Sequence, residues 1–365
     1  MKVLKIVHII PSLKIGGAER LVVDICKELN RTKNIKVKLI TFLDETKSQY
    51  PFHIHIMSKY VPSITGKDFI SIEELQFFLN EFDPDIIHSH LWQSEILLSV
   101  LTLKAKRFSH FHDNMSQLKK INSFSKQAIT NLYERKQFLK KNKNQYICIS
   151  KDTNNYARNE LPNSYKDKIH LIFNAINFEY FSTKRKDSFK KIKLINIGSF
   201  VNKKNQKFAL DILSELKMLG IDFEMVFLGD GPTLNDNIEY SKKLRISNHV
   251  KFLGNVRDVR AFLKSSNIFL HTATYEPFGL VILEAMAAGL PVVTLNGNGN
   301  KDFITHNTNG FIFDKQNPLI FAKQIINVFN TSKLYTKISK NGIETAKKYD
   351  IKNYVSKLIE LYTSI

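Results

Sequence analysis

Tyr275-Glu276-Pro277-Phe278-Gly279-Leu280-Val281-Ile282-Leu283-Glu284-Ala285-Met286-Ala287-Ala288-Gly289-Leu290-Pro291-Val292-Val293 reads as a loop, a helix and a strand in immediate succession. Pro277 stiffens the turn, Gly279 opens a helix expected over Gly279–Ala288, and Pro291–Thr294 is a short apolar strand. The first N–H groups of a helix have no partner within it and lie at its positive end. Here they belong to Gly279, Leu280 and Val281, an arrangement suited to a diphosphate. Glu284, just over a turn further on, suits two neighbouring hydroxyls such as a ribose presents. Glu276 stands before the helix, within reach of sugar hydroxyls. One acid beside a helix N-terminus satisfies the dipole with no ligand at all. That simpler reading covers the two glutamates but not the whole run.

Outward from this stretch the same alternation recurs. Toward the N-terminus of the second half lie Leu194–Gly198, Lys204–Leu219, Phe223–Gly229, Val250–Leu253 and Ile268–His271. Helices near Leu319–Phe329 and Leu334–Lys348 follow. The first half repeats the pattern. Its strands are Lys5–Ile10, Val37–Phe42, His53–Met57, Asp85–His90, Phe108–His112, Gln145–Ile149 and Ile169–Phe173. Ala18–Leu29, Ser94–Leu103 and Gln117–Lys141 are its helices. Short apolar strands alternating with helices indicate a parallel sheet covered on both faces. The charged, aperiodic stretch Ser182–Lys193 is the candidate linker. The expected domains are 1–180 and 190–349, with a last helix at about 350–365 packing back on the first. Ligands in such sheets bind at the carboxyl ends of the strands.

With 365 residues the chain has room for two domains, and its 43% hydrophobic content is enough to build both cores. A net charge of +20 favours an anionic partner: nucleic acid, anionic lipid or a phosphorylated substrate. Compositional drift explains it equally well, because lysine is spread through both halves. Nucleic acid has only this charge behind it, since no aromatic–basic platform appears. Cys26 and Cys148 make no metal or CxxC spacing, which fits a reducing compartment. No uninterrupted apolar run reaches membrane-spanning length. A cytoplasmic protein, peripheral at the inner face of the membrane, is expected.

The Glu276–Glu284 run resembles the family 4 retaining glycosyltransferases, the glycosyl transferases group 1 type, whose signature is Glu, seven residues, Glu. The resemblance extends over nearly the whole chain. It implies the GT-B fold, two Rossmann-like doubly wound α/β domains facing across a cleft, with a nucleotide sugar held mainly by the C-terminal one. It implies transfer with retention from a nucleotide-diphosphate sugar, UDP-linked by preference, to a glycan or lipid-linked sugar acceptor, in surface polysaccharide synthesis. By this resemblance Glu276 contacts the transferred sugar and Glu284 the ribose, and the backbone from Phe278 through Val281 meets sugar and phosphate. Gly16 and Gly17 look like the family's N-terminal glycine loop, facing the donor phosphates. His112 is the match for a histidine beside the sugar, and Leu253 for the strand end that meets the base. Asn174-Ala175-Ile176-Asn177 resembles the turn that closes the N-terminal domain.

One departure concerns charge. The family shows Gly-Arg after the first strand of its second domain, and a lysine five residues later. This chain has Gly198-Ser199 and Lys204. Serine bonds a phosphate but brings no charge, so stabilisation of the leaving group falls to Lys204, the helix N-terminus and Lys203. Ser199 keeps open a catalytically silent transferase partner as an alternative, and a sugar-nucleotide epimerase on the same two-domain plan is another.

No cofactor beyond the donor and no metal are expected. Asp83-Pro84-Asp85 has the Asp-x-Asp form of metal-dependent transferases but sits at a strand entrance. His88-Ser89-His90 and His110-Phe111-His112 lack a completing carboxylate or cysteine. The basic segment Lys119–Lys143, with Lys119, Lys120, Lys140 and Lys141, matches either an anionic membrane surface or a solvated helix face.

Overall fold

The computed structural model describes residues 2–14, 16–43, 50–56, 72–99, 101–114, 144–183 and 190–365. The expected helix Gln117–Lys141 and the four lysines named in the basic segment lie outside these residues. The chain divides into two compact units, Met1–Asn174 with Tyr354–Ile365, and Ala175–Asn353.

The first unit contains β1 (Leu4–Ile9), α1 (Gly17–Arg31), β2 (Ile35–Thr41), β3 (His53–His55), α2 (Ile72–Phe82), β4 (Ile86–His90), α3 (Leu91–Ser99), β5 (Lys106–Phe111), β6 (Asn144–Cys148), α4 (Lys151–Glu160) and β7 (Ile169–Leu171). Among the described residues its seven strands are all parallel, in the order β3-β2-β1-β4-β5-β6-β7. Both faces are covered, so β4 is buried at every position. On one side Val7, Ile9, Ile40 and Ile87 meet Leu75 and Leu79 of α2 and Leu97 and Leu98 of α3. Burying each such side chain stabilises by roughly 1.5–3 kcal/mol.

The second unit contains α5 (Phe178–Phe181), β8 (Ile192–Ile197), α6 (Gln206–Met218), β9 (Phe223–Leu228), α7 (Leu234–Lys243), β10 (Val250–Phe252), α8 (Arg260–Ser265), β11 (Ile268–His271), α9 (Leu280–Ala287), β12 (Val292–Leu295), β13 (Phe311–Phe313), α10 (Pro318–Asn330) and α11 (Ser332–Lys348). The parallel order is β10-β9-β8-β11-β12-β13. Phe208, Ile212, Leu213 and Leu216 of α6 pack with Phe321 and Ile325 of α10 over Met225, Phe227 and Leu270. A last helix, α12 (Ile351–Ser364), starts in this unit and ends in the first, where Tyr362 is buried beside Phe108.

Both sheets reverse strand order once, between β1 and β4 and between β8 and β11. This is the doubly wound plan, and such reversals are where ligands settle in open α/β sheets. Two details depart from the sequence-based elements. The helix expected from Lys204 begins at Gln206, because Asn205 adopts a left-handed conformation (φ 51°) that ends a 3-10 turn over Asn202–Lys204. The boundary between units falls at Asn174, ahead of the charged stretch. Ile176 bridges to Asp350, and the Phe178 amide donates to Asp350 Oδ2 at 3.1 Å, so these residues pack within the second unit.

Candidate active site

At the β8/β11 reversal three side chains converge. Lys204 leaves its 3-10 turn with Nζ 2.5 Å from Glu276 Oε2, and His271, the last residue of β11, puts Nε2 2.9 Å from the same oxygen. Glu276 is 7% exposed. Burial alone raises a carboxyl pKa; here the Lys204 charge and the His271 hydrogen bond outweigh it and hold the group at about 2. Glu276 is therefore a carboxylate throughout the neutral range, already oriented.

The backbone around Glu276 is fixed by Asn296-Gly297-Asn298-Gly299-Asn300. The Glu276 amide donates to Gly297 O at 2.7 Å, and the Gly299 amide to Glu276 O at 2.9 Å. A Cβ on Gly299 would lie 2.0 Å from Pro277 O, so only glycine allows this approach. Asn300 is fully buried and secures the turn, accepting from the Gly297 amide and donating to Leu295 O. The sequence reading missed this segment and His271. His271 carries a local signal, as a polar strand end five residues before Glu276; the glycine–asparagine run carries only its composition.

Gly279 is the N-cap of α9, not its first turn. Its φ of 102° is left-handed, and no side chain caps the helix. Among the described residues no acceptor meets the N–H groups of Leu280 and Val281, both half-buried, so the positive end of α9 keeps its donors. Glu284 lies on the second turn and is 2% exposed. Phe278 is a core residue, its ring 5.1 Å from Phe303 and 5.8 Å from Tyr349, so only its backbone can serve a ligand. Ser199 is exposed after β8, and its carbonyl accepts from Gln206. Leu253, 43% exposed, follows β10, with its amide bonded to Phe227 O. Lys203 rests over the Tyr275 ring at 5.5 Å.

In the first unit, Gly16 caps α1 after β1. Its φ of −167° is open to any residue, and a Cβ there would meet the Glu19 carboxylate at 2.0 Å. A side-chain tip, not the backbone, thus occupies the space that glycine leaves. Gly17 is exposed. His112 follows β5, half-buried, with Nε2 3.0 Å from His90 Nδ1. Burial lowers its pKa to about 4, so it is a neutral imidazole at neutral pH. Asp85 is structural, since its carboxylate accepts from the Lys5 amide at 2.9 Å and pairs with Lys2 at 2.8 Å.

Two family models adjoin along the chain: Glycosyltransferase Family 4 over residues 15–180 and Glycosyl transferases group 1 over residues 179–345. An uncharacterized glycosyltransferase of Methanocaldococcus jannaschii is 25% identical over 61% of this chain and 60% of its own length. The GPI3 subunit of Saccharomyces cerevisiae phosphatidylinositol N-acetylglucosaminyltransferase is 28% identical over 60% of this chain and 50% of its own. The match thus spans about half to three fifths of these relatives. The Anabaena Alr3699/HepE structure, in complex with UDP and glucose, superposes with a TM-score of 0.81 at 19% identity over 99% of this chain and 100% of that one. That likeness gives the fold, GT-B. The chain belongs to the family 4 glycosyltransferases, with a C-terminal half of the glycosyl transferases group 1 type.

Proposed function

We propose that this protein transfers a sugar, with retained anomeric configuration, from a UDP-sugar to a glycan or lipid-linked sugar acceptor in surface polysaccharide synthesis. The observation that carries the reading is the meeting of Lys204, Glu276 and the uncapped N-terminus of α9 at one sheet reversal. Such a reaction develops positive charge on the sugar and negative charge on the departing diphosphate. Preorganised donors at the diphosphate and a fixed carboxylate at the sugar address both. Glu276 holds sugar hydroxyls, Glu284 the ribose, and Lys204 with the Leu280 and Val281 amides the diphosphate. His112 and the Gly16-Gly17 turn serve the donor from the first unit, and Leu253 the base. No protein nucleophile and no metal enter the scheme. The UDP in the Anabaena relative supports the choice of base.

Product analysis by NMR tests this. An α-linked donor should give an α-linked product only in the presence of acceptor. A changed sugar configuration without acceptor would instead identify an epimerase. Exposed Ser199, in place of a charged residue, favours a second reading as a silent partner. Slow donor hydrolysis without acceptor counts against it.

No described helix is long and apolar enough to cross a membrane. For a lipid-linked acceptor the scheme assigns surface attachment to Lys119, Lys120, Lys140 and Lys141, at about 1 kcal/mol each near an anionic surface. Replacing all four by Gln should abolish salt-sensitive binding to anionic vesicles and leave donor binding intact. Equal binding by the variant would assign the contact elsewhere.

A further inference from the structure

Five histidines share one face of the first sheet. Residues two apart on a strand point the same way, which pairs His88 with His90 on β4. The parallel register sets His8 of β1 opposite His88, and His90 opposite His110 of β5. His112, just past β5, stacks on His110 with ring centroids 4.2 Å apart. We propose that His90, His110 and His112 form a binding site for a first-row divalent transition ion of the zinc type.

One ring nitrogen from each of these three residues lies within 4.8 Å of the other two. His90 Nδ1 and His112 Nε2 are 3.0 Å apart. Two imidazole nitrogens on one tetrahedral zinc stand about 3.3 Å apart, given Zn–N bonds of about 2.0–2.1 Å, so small ring rotations suffice. An independent observation points to a ligand. His110 is 5% exposed, and among the described residues neither of its ring nitrogens has a hydrogen-bond partner. A neutral imidazole carries one N–H and one lone pair, and leaving both unmet in the interior costs free energy that an ion on the lone pair offsets. A fourth position is open as well: a cavity of about 70 Å³ beside His110 and His112 is bordered by Glu95, Ser109 and Asp113. Three protein ligands with space for a water is the form of an accessible zinc site.

The surroundings suit such a ligand set. With Nδ1 of His90 on the ion, its Nε2–H donates to His8 Nδ1, 2.9 Å away. Metal-binding imidazoles are commonly oriented by this kind of outer hydrogen bond. Binding shifts tautomers and releases no proton, because each imidazole stays neutral. His8, His88 and His90 form a second close group. All three are buried, and His88 Nδ1 is already bonded to the Tyr362 hydroxyl, so the outer group is the accessible one. Three imidazoles select zinc, cobalt, nickel or copper over magnesium or calcium.

The test titrates chelator-stripped full-length protein with Zn2+ by calorimetry and with Co2+ by visible absorption. One saturable site per chain is expected, with the intense d–d bands of four-coordinate Co2+. His110→Gln and His112→Gln should each weaken it by at least about 10-fold. His249→Gln, in the second unit, should leave it unchanged. Half-buried His112 keeps the test valid if the His110 variant does not fold. No saturable binding to the wild type, or equal affinity in folded His112→Gln, would overturn the proposal.

Discussion

Lys204 and Glu276, 72 positions apart, meet as a 2.5 Å ion pair at the point where the second sheet reverses its strand order. Neither stands on an α-helix or strand. Lys204 ends a 3-10 turn stopped by left-handed Asn205, and Glu276 is held by amide bonds to Gly297 and from Gly299. The pair is mostly buried, at 16% and 9% side-chain exposure, so breaking it has consequences that a surface pair would lack.

Lys204→Met leaves the Glu276 carboxylate buried with His271 alone. Removing one member of such a pair costs about 3–5 kcal/mol. For a unit of this size that lowers Tm by roughly 10 °C. Thermal melting checks this, and an unchanged Tm would mean that the ion pair contributes nothing.

The pH dependence follows from the same pair. Glu276 titrates at about 2 in the folded chain against an ordinary 4.5. Its contribution is thus complete above pH 4.5 and is lost as pH falls from there toward 2, because the unfolded chain takes up the proton first. The shift corresponds to at most about 3 kcal/mol. Denaturant titrations of wild type and Glu276→Gln between about pH 5 and about pH 2.5 should converge toward the acid end. Parallel curves would contradict the assignment.

In the proposed scheme, Glu284→Ala removes the acceptor of two hydrogen bonds to the donor's ribose. Donor affinity should fall by roughly 2–3 kcal/mol, the scale for bonds to a charged group. Calorimetry with UDP measures it; unchanged affinity would remove Glu284 from the site.

If Ser199 faces the diphosphate as proposed, Ser199→Arg adds a cation beside the leaving group. An exposed position can accept the longer side chain, and turnover should rise about tenfold, as one charge-assisted hydrogen bond would give. A severe loss in a folded variant would mean that Lys203 or another cation already fills that space.

In the proposed scheme Lys204 and the α9 amides supply the positive charge, so turnover should persist in EDTA. Added Zn2+ should slow it, because an ion on His112 Nε2 would withdraw that nitrogen from the sugar contact proposed for it. Initial rates decide both points. Loss in EDTA restored only by a divalent ion would make the metal part of the reaction.

The sheets were legible because buried parallel strands are continuous apolar runs, as in Ile268-Phe269-Leu270. The loop–helix–strand succession at Glu276 was equally plain, since Pro277, Gly279 and Gly289 punctuate it. The break at Asn205 was not, because an asparagine inside a helical pattern does not announce a left-handed conformation. Phe278 stood in the signature with nothing local to mark its ring as core; Phe303 and Tyr349 decide that. His271 left a trace as a polar strand end five residues before Glu276, but Asn300 reaches the site through loop packing, which no local pattern encodes. The two His-x-His pairs were visible, but the β4/β5 register that joins them was not.

The most direct measurement is nucleotide release from a panel of UDP-, GDP- and ADP-sugars, with and without glycan or lipid-linked acceptors, for wild type and Glu276→Gln. The account predicts UDP release from at least one UDP-sugar, stimulated by acceptor and suppressed in the variant. A folded wild type that neither binds nor turns over any donor in the panel would contradict it.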